Sequence, residues 1–191
     1  MHELVQFINV FKEQIDVSGV FSESLNKALM EVETAAYVDQ INDLVKLIET
    51  TPPEELYMLS PKYVAPKAFF AMFLEGLKLG AMYGDRLLDM AGILYCYDDD
   101  SITIDSKSNG FKAFGYLLRA EMPIISVLDL LLDEVSDEAL KDFFSSAKEG
   151  IMEGKSLAMA MKQLKAFSDE EIRLIEEGEQ SGQLPEACFK F

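Results

Sequence analysis

The side chains that could do chemistry are few. The single histidine, His2, stands at the start of the 191-residue sequence. A histidine-based triad or acid–base pair therefore has no partner set to draw on. The two cysteines, Cys96 and Cys188, have neither metal-ligand spacing nor a disulfide framework, and their aromatic and apolar neighbours predict buried free thiols. No phosphate-binding loop, dinucleotide turn or zinc spacing occurs. Carboxylates abound, in Asp169-Glu170-Glu171 and in Glu176-Glu177 with Glu179, but runs of this kind on amphipathic helices are solvated faces. A di-metal carboxylate bundle wants Glu-x-x-His motifs, and none is present. DDDSITID (98–105) resembles a calcium loop in composition only; it lacks alternating ligands, a mid-loop glycine and a terminal glutamate. No catalytic residue, metal or cofactor is expected.

Charge narrows the partners. Thirty-four acidic and 17 basic residues give a formal net charge of −17. That argues against nucleic acid, whose phosphates need a positive surface, and against the anionic face of a membrane. The composition, 49% hydrophobic and 27% charged, is that of a chain with a real core. The N-terminus lacks a basic start and an apolar signal region, and the best apolar run, 68–84, is interrupted by Glu75 and Lys78. A cytoplasmic chain with no membrane span is expected.

The elements that would position any site are helical. Apolar residues recur at helical spacing over 4–15 (Leu4, Phe7, Ile8, Phe11, Ile15), 25–32 and 37–48. Thr51-Pro52-Pro53-Glu54 fits an N-cap with Pro at N1 and a capping box, and Ser60-Pro61 offers a second N-cap. Helices are expected over 66–78 and 84–94. The stretch 92–110 breaks the pattern. It reads as an acidic linker with a short extended piece at Ile102–Ile104 and a closing Asn109-Gly110 turn. Helices resume over 110–120 and from Pro123 to about Val135, then after caps at Ser136, Ser156 and Ser168, the last with Glu171 as a capping box. The fold class is all-α: two tandem small antiparallel bundles, 1–94 and 110–191, joined by the acidic linker 95–109.

The two halves can be laid on one another. Phe69 falls on Phe167, Leu77 on Ile175, Gly80 on Gly178 and Gly84 on Gly182, all at a shift of 98. An earlier block, Leu25 on Leu128 through Ile48 on Ile151, aligns at 103. An internal duplication is expected. Gly178 and Gly182, four apart in GEQSGQL, lie on one helix face and leave bare backbone for a neighbour; Gly182 could equally end the helix. Glu179, between them, reads as a solvated charge.

These motifs carry a resemblance. Residues 114–131, 153–161 and 167–184 are similar to the cytoplasmic domain of type II secretion system F proteins, also the platform proteins of type IV pili. That pattern has a glycine-hydrophobic-proline turn, a Gly-x-Ser-Leu turn, a Phe and a closing Gly-Glu-x-x-Gly-x-Leu. Pro123, Gly154, Ser156, Leu157, Phe167, Gly178, Glu179, Gly182 and Leu184 match it. Glu121 stands where the family has glycine. In the first half Gly19-Val20 and Gly80 with Gly84 match weakly, and Ala81 replaces the signature glutamate. Members of the family cross the membrane after each such domain. The resemblance implies tandem helical bundles used for protein contacts. A non-catalytic interaction or scaffold module is expected, with secretion or pilus components or a second copy as partner. The alternative reading is a domain binding a cation or small ligand at the acidic linker or a cleft.

Overall fold

The computed structural model describes residues 2–80, 82 and 84–191. The chain divides into two compact units, Met1–Leu94 and Tyr95–Phe191. Among the described residues every regular element is helical, and the one β-type contact is an isolated parallel bridge between Ile104 and Val135. The all-α class read from periodicity is the class observed. Ala81, where the first half lacks the signature glutamate, lies outside the described residues.

The first unit holds α1 (His2–Ser18), α2 (Phe21–Leu29), α3 (Ala35–Thr50), a 3-10 turn (Pro53–Met58), α4 (Lys67–Lys78) and α5 (Asp85–Leu94). α1 buries Leu4, Phe7, Ile8 and Phe11, the stripe its spacing predicts. α4 is buried almost all round, from Ala68 to Leu74, and Phe7 meets Phe73 edge-on at 6.1 Å. Glu3 anchors the start of α3: its carboxylate accepts the backbone N–H groups of Glu33 at 2.6 Å and Thr34 at 2.9 Å, two donors near a helix entry.

Two expected caps are absent here. Thr51 caps no new helix; its hydroxyl donates backward to the Leu47 carbonyl at 2.6 Å and finishes α3. Pro53 does open the 3-10 turn, but no side chain caps it. Ser60-Pro61 starts nothing, because 59–64 carries no regular element.

The second unit holds α6 (Lys107–Arg119), α7 (Ile124–Leu132), α8 (Glu138–Met152), α9 (Leu157–Gln163), α10 (Asp169–Ser181) and α11 (Leu184–Cys188). Its core gathers Phe111, Phe114, Phe143 and Phe144, all fully buried. The stretch expected as an acidic linker, 95–109, is folded into this unit. Ile104 is fully buried; its N–H donates to the Glu134 carbonyl and its carbonyl accepts from Ser136, both at 2.9 Å. The Tyr97 hydroxyl donates to the Glu134 carboxylate, and both residues are buried. Asn109-Gly110 is not a turn but the first turn of α6, since Ser106 Oγ accepts from Asn109 N–H and nucleates the helix earlier. Ser136 yields its expected cap to Asp137, whose carboxylate accepts from Leu140 N–H at 2.9 Å.

Each unit turns its first corner through a left-handed residue. In the first unit this is Gly19, φ +65°; in the second it is Glu121, φ +64°. Glu121 N–H donates to the Leu118 carbonyl and Met122 N–H to Leu117, the paired bonds that close a helix around a left-handed residue. Glycine is at ease there; an ordinary L-residue is strained by roughly 1–2 kcal/mol.

Candidate functional site

Most of the second-unit residues that carried the resemblance lie on or beside α9, α10 and α11, while Pro123 stands apart at the start of α7. α10 begins where Ser168 and Glu171 close the expected capping box. Glu171 also pairs with Lys107 at 2.6 Å. Burial pushes the Glu171 carboxyl upward, but hydrogen bonds from Lys107 and Ser168 outweigh it and hold the group below its ordinary value. Phe167, just before the helix, is buried edge-on against Phe111 at 5.9 Å and Phe143 at 5.2 Å. α10 ends at Gly182, φ +72°, with Gln183 N–H bonded to the Gly178 carbonyl at 2.9 Å. The turn reading of Gly182 is the one observed.

Gly178 does supply bare backbone. A Cβ there would lie 2.7 Å from Ala187 Cβ and 3.2 Å from Leu184 Cα, so α11 folds directly onto the glycine face. A neighbouring face of α11 meets a glycine that the sequence did not single out. A Cβ on Gly115 of α6 would lie 3.0 Å from both Cys188 Cβ and the Pro185 carbonyl oxygen. α11 thus packs against both α6 and α10 at positions without side chains.

The matched glycine of the first half behaves differently. Gly80 follows α4 in a left-handed conformation, φ +61°, with open space where a Cβ would point. The close approach in that unit falls at Gly76, whose free side is filled by the Met82 side chain. Gly84, φ +59°, is left-handed like Gly182. The constant shift of 98 therefore pairs one glycine correctly by conformation and the other not.

Glu179 is not a solvated charge. Its carboxylate reaches back to the start of α9 and accepts Leu157 N–H at 2.7 Å and Ala158 N–H at 3.2 Å. Ser156 Oγ accepts the next donor, Met159 N–H, at 3.2 Å. Three of the four free donors of that helix start are satisfied by two side chains, one of them anionic at the positive end of the helix. The Gly154 turn, φ +79°, delivers Ser156 to that place, and Pro123 stands at the N-cap of α7. Local spacing could predict the Ser156 cap; the Glu179 contact spans 22 residues of sequence and could not be read locally.

Both thiols are buried and free; burial drives Cys96 up to about 12, against a smaller opposing pull from Lys112, and drives Cys188 up as well. Neither is a thiolate nucleophile at neutral pH. Among the described residues no group of three or more His, Cys, Asp or Glu side chains is placed to hold a metal. A groove of about 460 Å³ runs between α10 and α11, with Leu174, Gly178 and Ala187 along it and Glu177, Glu186 and Lys190 at its edges. Arg119 lies over the Phe189 ring at 4.5 Å and the Tyr116 ring at 5.5 Å, tying α6 to the chain after α11.

Comparison with known families gives a match to the second unit. Residues 111–191 match the family model described as Type II secretion system (T2SS), protein F. The likeness read from Pro123 through Leu184 is found over the segment that carries those motifs. No curated protein and no solved structure matches the chain. No helix among the described residues is long and apolar enough to cross a membrane.

Proposed function

We propose that the second unit is a non-catalytic protein-contact domain, a cytoplasmic scaffold of the kind used in secretion and pilus assembly. The observation that carries this reading is the family match over 111–191. Its motif residues have structural work that suits a docking domain. Gly178, Gly182, Glu179 and Ser156 lock α9, α10 and α11 together and leave the outward helix faces free to meet other proteins. The first unit repeats the order of three helices, a short element and two helices, with a left-handed first corner. That shared order supports descent of both units from one duplicated bundle.

The test is recovery of a tagged full-length chain from its native cells under mild detergent, with quantitative mass spectrometry. Enrichment of a secretion or pilus assembly component, ATPase or inner-membrane subunit, over an untagged control is expected. Recovery of the chain with no such component, in cells expressing the machinery, overturns the role. Sedimentation equilibrium on the purified chain decides separately whether a second copy is among the partners.

A further inference from the structure

The chain that follows α11 is held unevenly. Phe189 is pinned. Its N–H donates to the Pro185 carbonyl at 3.3 Å, its ring meets the Tyr116 ring at 4.8 Å, and its Cζ lies 3.2 Å from where a Cβ on Gly115 would stand. Lys190 N–H still donates to the Ala187 carbonyl at 3.1 Å. Phe191 makes no hydrogen bond among the described residues, yet its ring lies flat on Phe111, with 3.8 Å between centroids and 6° between planes. Phe111 itself is fully buried; Phe143 stacks beside it at 5.3 Å and Phe167 meets it edge-on at 5.9 Å. Rings from α6, α8 and the turn before α10 thus make an aromatic socket, and Phe191 is the plug in it.

The plug stands at the edge of open space. Phe191 is half-exposed, and with Lys190 it walls a groove of about 390 Å³ that runs along α10 past Ser168, Glu170, Leu174 and Glu177. A segment fixed by one ring, without backbone bonds and beside open space, belongs to the part of a fold that opens most readily. Its opening bares the socket at the groove's edge. What fits the socket is shown by what fills it: a phenyl ring, carried next to a lysine, beside a groove that holds the carboxylates of Glu170 and Glu177.

We propose that residues 189–191 are a strap that closes the protein's own docking socket, and that the occupant which displaces Phe191 is a segment of another protein carrying a phenylalanine beside a lysine. The socket takes the ring, and the groove carboxylates take the cation. The strap weakens the partner's apparent affinity in proportion to the fraction of molecules in which the socket is open, so it admits only segments that bring more contacts than a single ring. A second copy is not the occupant. From the pinned Phe189 two residues reach only about 7 Å, and a longer reach would pull α11 off Gly178 and Gly115. This inference rests on the protein-contact reading and names the chemistry of the contact.

The experiment titrates the full chain and its Phe191→Ala variant with a short soluble peptide centred on Lys-Phe; a peptide with alanine in place of that phenylalanine is the control. NMR follows the ring protons of Phe191 in the wild type, which stacking on Phe111 shifts away from their free positions. Those signals are expected to return to their free positions at millimolar Lys-Phe peptide and to stay in place with the control. Phe191→Ala, with no plug to compete, should bind the Lys-Phe peptide at least about tenfold more tightly than the wild type does. Removing both groove carboxylates, Glu170→Gln with Glu177→Gln, should weaken that binding about threefold. A wild-type Phe191 ring that does not move at millimolar peptide marks the residue as fixed core and overturns the strap, whether or not Phe191→Ala folds or binds. Equal binding of both peptides, or full binding after the carboxylates are removed, overturns the assigned occupant. So does a wild-type dimer that Phe191→Ala dissociates, which gives the socket to a second copy. Any of these results alongside continued recovery of assembly components removes this socket and leaves the protein-contact role standing.

Discussion

Adding one methyl group at Gly178 tests how tightly α11 is seated. In Gly178→Ala the new Cβ would stand 2.7 Å from Ala187 Cβ and 3.2 Å from Leu184 Cα. Relaxed carbon contacts need about 3.5–4.0 Å, so α11 must withdraw by roughly an ångström. Gly115 also stands close to α11, on a neighbouring face, with 3.0 Å from Cys188 Cβ to a would-be Cβ, which limits how far α11 can shift. Overpacking of this kind costs about 1–3 kcal/mol. Replacing a mid-helix glycine by alanine returns about 1 kcal/mol in propensity. The net expectation is a destabilisation of about 0–2 kcal/mol, with Gly178→Val losing more. The readout is Cys188, which is fully buried and beside the contact. Its labelling by a thiol reagent, localised by mass spectrometry, should accelerate in Gly178→Ala, while Cys96 labelling stays slow. Ala187→Gly in the same chain should restore slow labelling, with a coupling energy of about 1–2 kcal/mol in a double-mutant cycle. A Gly178→Ala protein as stable as wild type, with unchanged Cys188 labelling, would refute the tight seating of α11 on Gly178.

Three further outcomes follow from the geometry. Glu121→Gly should stabilise the chain by about 0.5–1 kcal/mol in urea unfolding, relief of left-handed strain less the extra freedom of glycine in the unfolded chain; a loss of stability contradicts the strain. Glu171 has a folded pKa below its ordinary 4.5, so the stability it adds is present above that value and is lost as pH falls through the folded pKa. Glu171→Gln should therefore flatten the acid limb of the stability curve below about pH 4.5, and an unchanged limb counts against the Lys107–Ser168–Glu171 cluster. Tyr97→Phe leaves the buried Glu134 carboxylate short of a donor, at a cost of about 1–2 kcal/mol; faster amide exchange at Ile104 and Ser136 is expected, and unaltered exchange contradicts the tether.

What could be read from the sequence divides along the range of the interactions. Helical stripes such as Leu4, Phe7, Ile8 and Phe11 were legible because burial follows the helix period itself. The Ser156 cap and the Ser168–Glu171 box were legible because they close within one turn. Thr51 and Ser136 misled because a hydroxyl beside a helix end has two uses, and nearby carbonyls, Leu47 and Ile104, took them. Asn109-Gly110 has turn composition, yet Ser106 starts the helix one turn earlier. Glu179, Gly115 and the Tyr97–Glu134 pair were beyond reach, since each depends on a contact made across tens of residues. Gly80 illustrates the opposite hazard: a match by alignment shift that does not share the conformation of its counterpart.

The motif residues on α9, α10 and α11 form an internal frame, and the proposed protein contact falls to its outward faces. Amide exchange at Leu157 and Ala158, measured residue by residue by NMR in wild type and Glu179→Ala, tests that most directly. Both amides should exchange slowly in wild type and about 10- to 100-fold faster in the variant, with the α6–α8 amides unchanged. Wild-type rates at both positions in Glu179→Ala would show that the glutamate does not hold α9, and the frame as described here would be wrong.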